Sequence, residues 1–161
     1  MPDVPAAPAT DASSTEQALT EDFATVIGQT FGWPPLAGRT AAVLLLSEHP
    51  MTTGQLQSAT GASAGSMSEI TRLLITNGVV RRFKQAGARY YAYEWRADAW
   101  AGCLEHQLEQ TTNLRDLAHR TRASGARLPE PQQDRLRDMA SYYDFMVAHL
   151  TELLRVYRCA P

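Results

Sequence analysis

The sequence predicts a mainly α fold with one small β-hairpin. Three observations carry this. Apolar residues recur at helical spacing over most of the chain, and Gly and Pro interrupt them at short intervals. One stretch alone, Val79 to Trp95, is β-rich and alternates basic with apolar and aromatic residues.

Each element follows in order. Residues 1–13 are rich in Pro, Ala, Ser and Thr with no apolar period, and predict a flexible tail. Ser13 and Ser14, followed three residues on by Glu16 and Gln17, are capping-box signals for a first helix within 14–35. Leu19, Phe23, Val26, Ile27 and Phe31 keep helical spacing until Gly32-Trp33-Pro34-Pro35 breaks it. A second helix, Leu36 to about Ser47, is apolar nearly all round and is expected to be buried. Thr52 or Thr53 caps a short third helix, with Leu56 and Ala59 facing inward. Gly61 makes a turn, Ser63 caps a fourth helix, and Asn77-Gly78 stops it.

Val79 to Lys84 and Arg89 to Trp95 then read as two strands joined by Gln85-Ala86-Gly87-Ala88. Val79, Phe83, Tyr91 and Tyr93 should pack down while the bases flank the turn. Asp98 opens a long helix to about Arg122, and Ser124 to Pro129 is a linker. A last helix, from about Pro131 to Arg158, carries an apolar stripe: Leu136, Met139, Tyr143, Met146, Leu150, Leu153 and Tyr157.

Composition sets the class. With 44% hydrophobic and 20% charged residues, the 161-residue chain matches ordinary globular proteins. The opening segment has no basic region or apolar core. The longest purely apolar run, Ala41 to Leu46, is far short of the roughly 20 residues that span a bilayer. The expectation is a cytoplasmic protein with no membrane partner, whose two cysteines, Cys103 and Cys159, are free thiols. Net charge is −2, yet residues 61–96 hold six bases and two acids, so a basic module sits on an acidic body. That is the footprint of a chain with one face turned to phosphate.

Two helices joined by a short glycine turn let the second enter a DNA major groove while the first crosses the backbone. The fourth helix divides accordingly. Met67, Ile70 and Leu74 should pack inward, while Ser63, Gly65, Ser66, Ser68, Glu69 and Arg72 occupy its first turns and open faces. Small residues there let the backbone approach closely, and the helix amides suit a phosphate. Arg72 suits guanine or phosphate, and Glu69 suits cytosine N4, although a carboxylate beside phosphates is usually unfavourable. Thr53, at the start of the third helix, joins the set. Arg81, Arg82, Lys84 and Arg89 populate the hairpin, with Arg89 the leading residue for a minor groove. The plainer alternatives are a solvated helix face for Ser66, Ser68 and Glu69, and pairing of Arg81 or Arg82 with Glu94 or Asp98.

With these residues in view, the run GASAGSMSEITRLLITNGVVRRFKQAGARYYAYEWRADAW resembles the DNA-binding core of the MarR superfamily of bacterial transcriptional regulators, nearest the GbsR-like branch. Ser63, Ser66-Met67-Ser68, Arg72, Leu74, Gly78-Val79-Val80, Arg89-Tyr90-Tyr91 and Trp100 carry the likeness, which is good over about residues 36–102 and topological outside them. The turn Gln85-Ala86-Gly87-Ala88 is less basic than in many members, and Thr71 stands where a larger apolar residue is usual. The resemblance implies a winged helix-turn-helix over 36–96, with long terminal helices, 14–35 and 97–161, joining a homodimer. It also implies a sequence-specific, ligand-responsive regulator of transcription, more in keeping with a repressor, on a pseudo-palindromic operator. A small hydrophobic or aromatic effector would enter a crevice near Phe31, Trp33, Trp95, Trp100, Met139 and Tyr143.

The stripe on the last helix and the line Trp100, Leu104, Leu108, Leu114 and Leu117 independently call for partner surface, with intrachain packing as the alternative. Other functions have less support. No Gly-rich phosphate loop, H-E-x-x-H or G-x-S-x-G occurs, so neither catalysis nor a cofactor is expected. Cys103 and His106 lie three apart on one helix, but no second tight pair follows, so no metal is expected. A thiol-redox or metal-responsive regulator of the same fold, and a winged-helix module that binds protein instead of DNA, are the alternatives.

Overall fold

A computed structural model describes residues 10–84 and 86–159. The chain forms two compact units, one ending at Ala97 and one beginning at Asp98. The first contains α1 (Thr10–Phe31), α2 (Pro35–Leu46), β1 (Met51–Thr52), α3 (Thr53–Thr60), α4 (Ala64–Thr76), β2 (Val80–Phe83) and β3 (Ala92–Trp95). The second contains α5 (Ala99–Ser124), a short 3-10 turn (Gly125–Arg127) and α6 (Glu130–Cys159). The architecture is mostly helical with a small antiparallel sheet.

The first unit is built around α2. Its nearly uniform apolar sequence buries Ala37, Gly38, Thr40, Ala41, Ala42 and Leu44, and α1, α3, α4 and β3 all pack on it. Thr40 satisfies its hydroxyl by donating to the Leu36 carbonyl at 2.8 Å. The start of α1 differs from expectation. It begins at Thr10, so Ser13 and Ser14 lie inside the helix instead of capping it. Residues 1–9 of the expected tail lie outside the described residues. On α1 Ala24 and Gly28 face inward, whereas Leu19, Val26 and Phe31 are exposed. Small residues admit α2 closely, and the larger ones stay at the surface.

The helix-turn-helix is set by its caps. Thr52, not Thr53, is the N-cap of α3. Its hydroxyl accepts from the Gln55 amide, and the Gln55 side chain accepts from the Thr52 amide at 2.7 Å. Leu56 is fully buried as expected. Its inward companion is Thr60 and not Ala59, which is exposed. Gly61 has φ +71°, a left-handed turn that closes α3 by donating its amide to the Gln57 carbonyl. Ser63 then caps α4, accepting from the Ser66 amide at 3.2 Å.

The sheet has one strand more than expected. β1 pairs with β3 (Met51↔Tyr93, Thr52↔Ala92), and β3 pairs with β2 from Val80↔Trp95 to Phe83↔Ala92, giving the order β1-β3-β2. The hairpin strands are shorter than the β-rich runs: Val79, Lys84 and Arg89 to Tyr91 fall outside them. Gln85 of the expected turn lies outside the described residues. Val79, Val80 and Tyr93 are buried, but Tyr91, expected to pack down, is exposed.

In the second unit α5 and α6 pack along their length. His119 and Asp144 bridge them at 2.8 Å, and Glu105 pairs with Arg158. On α5 the buried residues are small ones, Ala101, Gly102, Thr111 and Ala118, and Trp100, Leu114 and Leu117 are exposed. On α6 the inward line turns at its far end. Ala140, Leu150 and Leu154 are buried, Leu136, Met139, Tyr143 and Met146 are half-buried, and Leu153 and Tyr157 of the expected stripe are exposed.

Candidate nucleic-acid interface

The faces of α4 fix the geometry. Met67, Ile70, Thr71 and Leu74 point into the first unit. Thr71 is accommodated because its hydroxyl donates to the Met67 carbonyl at 2.9 Å, which answers the departure from a larger apolar residue. Gly65, Ser68, Glu69, Arg72 and Thr76 are exposed, with Ser66 and Leu73 along one margin. A methyl added at Gly65 would meet no atom within 4 Å, so nothing inside the unit requires a glycine there. Ser63 and Ser66 hold each other, oxygen to oxygen, at 2.9 Å. They fix the first turn of α4, where the amides of a helix start favour an anion.

The basic residues separate into two groups. Arg81 pairs with Glu94 across the β2–β3 register, as the plainer alternative allowed. Arg82 lies 4.4 Å from the centre of the Tyr91 ring, and Lys84 5.9 Å from it. This cation–π arrangement explains why Tyr91 is at the surface. Arg72 and Arg89 are different. Both are exposed, and among the described residues neither has a hydrogen bond or an ion pair. These two guanidiniums can bind an external anion without first breaking an internal contact.

Arg89 also lines a cavity of about 320 Å³ with Thr52, Thr53, Gly54, Tyr90 and Tyr91. This brings the wing against the start of α3. Sequence reasoning named Thr53 and Arg89 separately and gave no sign that they share a recess. It missed Tyr90, the most exposed large apolar residue of the chain's described part at 73%. The signal available was the Arg89-Tyr90-Tyr91 run after a glycine turn, which was read as strand.

A winged helix-turn-helix with free cations on the reading helix and wing is now defined, and likenesses to known proteins bear on it. Residues 98–159 match the MmpR5-like MarR family transcriptional regulator model. The chain is 28% identical over 123 residues to the HTH-type transcriptional regulator MmpR5 of Mycobacterium tuberculosis, covering 76% of this chain and 74% of the other. It is 32% identical over 69 residues to the HTH-type transcriptional repressor OpcR of Bacillus subtilis, covering 43% of this chain but only 37% of that repressor's length. A solved structure of a transcriptional regulator superposes with a TM-score of 0.83 at 24% identity, covering 91% of this chain and 99% of that one, and establishes the fold. These relatives are regulators and not enzymes.

The six residues expected around an effector fall in both units of the chain. Phe31 and Trp33 stack at 4.9 Å, and Trp95 meets Phe23 edge-on at 6.4 Å, all in the first unit. Trp100, Met139 and Tyr143 belong to the second. Burial pushes the Cys103 thiol up from its usual value. That lowers its thiolate fraction and works against a redox switch there. Among the described residues no three His, Cys, Asp or Glu side chains group as a metal ion would need. No helix among them is long and apolar enough to cross a membrane.

Proposed function

We propose that this chain is a MarR-family transcriptional regulator that binds duplex DNA as a homodimer on an inverted repeat and acts as a ligand-responsive repressor in the cytoplasm. The observation that carries this is two unengaged guanidiniums, Arg72 on α4 with its open small-residue flank Gly65-Ser66-Ser68 and Arg89 in the wing against the start of α3. In this reading α4 lies in the major groove, α3 crosses the backbone through Thr53, and the wing reaches an adjacent groove. Arg82 and Lys84 support it as wing charges, and Arg81, neutralised by Glu94, contributes least. The run from Gly61 to Trp100 supports a place near the GbsR-like branch.

The exposed apolar residues of α1 (Leu19, Val26, Phe31), α5 (Leu114, Leu117) and α6 (Leu153, Val156, Tyr157) support a dimer through the terminal helices. Phe31, Trp33, Trp95, Trp100, Met139 and Tyr143 remain the residues proposed for a small hydrophobic or aromatic effector.

Selection of bound fragments from random duplex DNA tests the proposal. The expected result is an enriched inverted repeat with half-sites about one helical turn, roughly 34 Å, apart. No enrichment at low salt would overturn it. On the selected site, Arg72→Ala should cost about 1–3 kcal/mol and relax preference at one base position. Arg89→Ala should weaken all sequences to a similar degree and reduce the slope of log affinity against log salt by about 1. Fluorescence anisotropy at several salt concentrations distinguishes the two.

A further inference from the structure

The DNA reading gives Glu69 only a contact to cytosine N4, at the cost of a carboxylate on a helix facing phosphates. A second cavity, of about 390 Å³, lies in the first unit between the start of α2 and one flank of α4. Pro34, Leu36, Ile70 and Leu73 supply an apolar lining, and Ser66 and Glu69 the polar part. Its size falls in the range of small-molecule sites, about 300–1,000 Å³. Glu69 is the only charged residue in the lining, and among the described residues it has no hydrogen bond or ion pair. The Ser66 hydroxyl lies three residues before it on the same flank, held by Ser63.

We propose that this cavity is a binding site for a small aromatic monocation, its rings on Pro34, Leu36, Ile70 and Leu73 and its ammonium on the Glu69 carboxylate. The charge pattern sets the class. One unneutralised acid over an apolar floor favours a cation with an apolar body and disfavours an anion of the same shape. The site lies wholly within the first unit. None of its lining residues is among the six proposed above for an effector, and the proposal stands whether or not the chain binds DNA.

The test uses the full chain, ¹⁵N-labelled, titrated with 1-naphthylmethylammonium, with neutral 1-naphthylmethanol and anionic 1-naphthylacetate as isosteric controls. The cation should give saturable shifts at the amides of Leu36, Ser66, Glu69 and Leu73, with the anion weakest of the three. Glu69→Gln, at an exposed position, should keep the folded spectrum. It should raise the cation's Kd about fivefold, as expected for a partly exposed ion pair, and leave that of the alcohol unchanged. Absence of saturable shifts at these amides would overturn the site. Equal responses to cation and anion, or a cation Kd unmoved by Glu69→Gln, would overturn the ligand class.

Discussion

Met67→Asp unfolds the first unit, with a loss of about 4 kcal/mol or more that places it among exceptional single substitutions. Met67 is fully buried and faces the interior from the middle of the inward stripe Met67-Ile70-Leu74. The substitution removes an apolar side chain worth about 1.5–3 kcal/mol on burial. It also places a carboxylate at a position with no solvent access, where burying an unpaired charge is costly. Amide exchange is the discriminating measurement, because the chain has two compact units. Protection should be lost in α2, α3 and α4. Ser68→Asp is the control. It adds the same charge one residue on, at an exposed position, and should melt within about 0.5 kcal/mol of the parent. Similar melting of the two variants would mean that α4 is turned differently from the way its faces are described here.

Contrast between Met67 and Ser68 also shows why the helix-turn-helix was readable from sequence. Local chemistry sets it. Ser63 caps, Gly61 turns, and Met67, Ile70 and Leu74 repeat at three- and four-residue steps behind a first turn of small residues. Nothing distant is needed. β1 is the opposite case. Two residues cannot show alternation, and Met51 and Thr52 become a strand only because Tyr93 and Ala92, some forty positions on, offer their backbone. The wing failed in part for a related reason. Alternation assigned Tyr91 to the packed face, but Arg82 and Lys84 draw its ring to the surface. In α1, α5 and α6 the reading followed the large apolar residues, as a helical repeat on α1 and as partner surface or intrachain packing on α5 and α6, and named no line of small inward residues. The first unit buries Ala24 and Gly28 on α1, and the second buries Ala101 and Ala118 on α5 and Ala140 on α6. Close helix packing selects small side chains, which a hydrophobicity pattern ranks low. The large residues left outside are the ones the dimer proposal uses. At the candidate site, composition along one helix located Arg72. The recess that joins Arg89 to Thr53, and the one that collects Glu69 with Pro34 and Leu36, depend on elements that meet only in three dimensions.

That preference for small residues leads to the second large effect, Gly38→Val. Gly38 lies in α2 with no room beside it. A Cβ built there would stand 2.5 Å from the Ala24 carbonyl oxygen and 3.2 Å from the Ala24 Cα. Both are backbone atoms of α1, so no rotamer change relieves the contact and one helix must move away from the other. Overpacking of a close interface costs about 1–3 kcal/mol and occasionally more, and a backbone collision with a branched side chain belongs at the upper end. Helix propensity opposes this only weakly, because glycine is at most about 1 kcal/mol worse than alanine inside a helix and valine recovers only part of that. Packing therefore decides the sign, and Gly38→Val should lower the denaturation midpoint of the first unit. Gly54→Ala separates packing from propensity. Gly54 lies in α3, where an added Cβ meets no atom within 4 Å, so only the propensity gain remains and stability should hold or rise. Chemical denaturation of the two variants beside the parent checks the pair. If Gly38→Val were as stable as Gly54→Ala, α1 and α2 would not be in the backbone contact on which the central position of α2 depends.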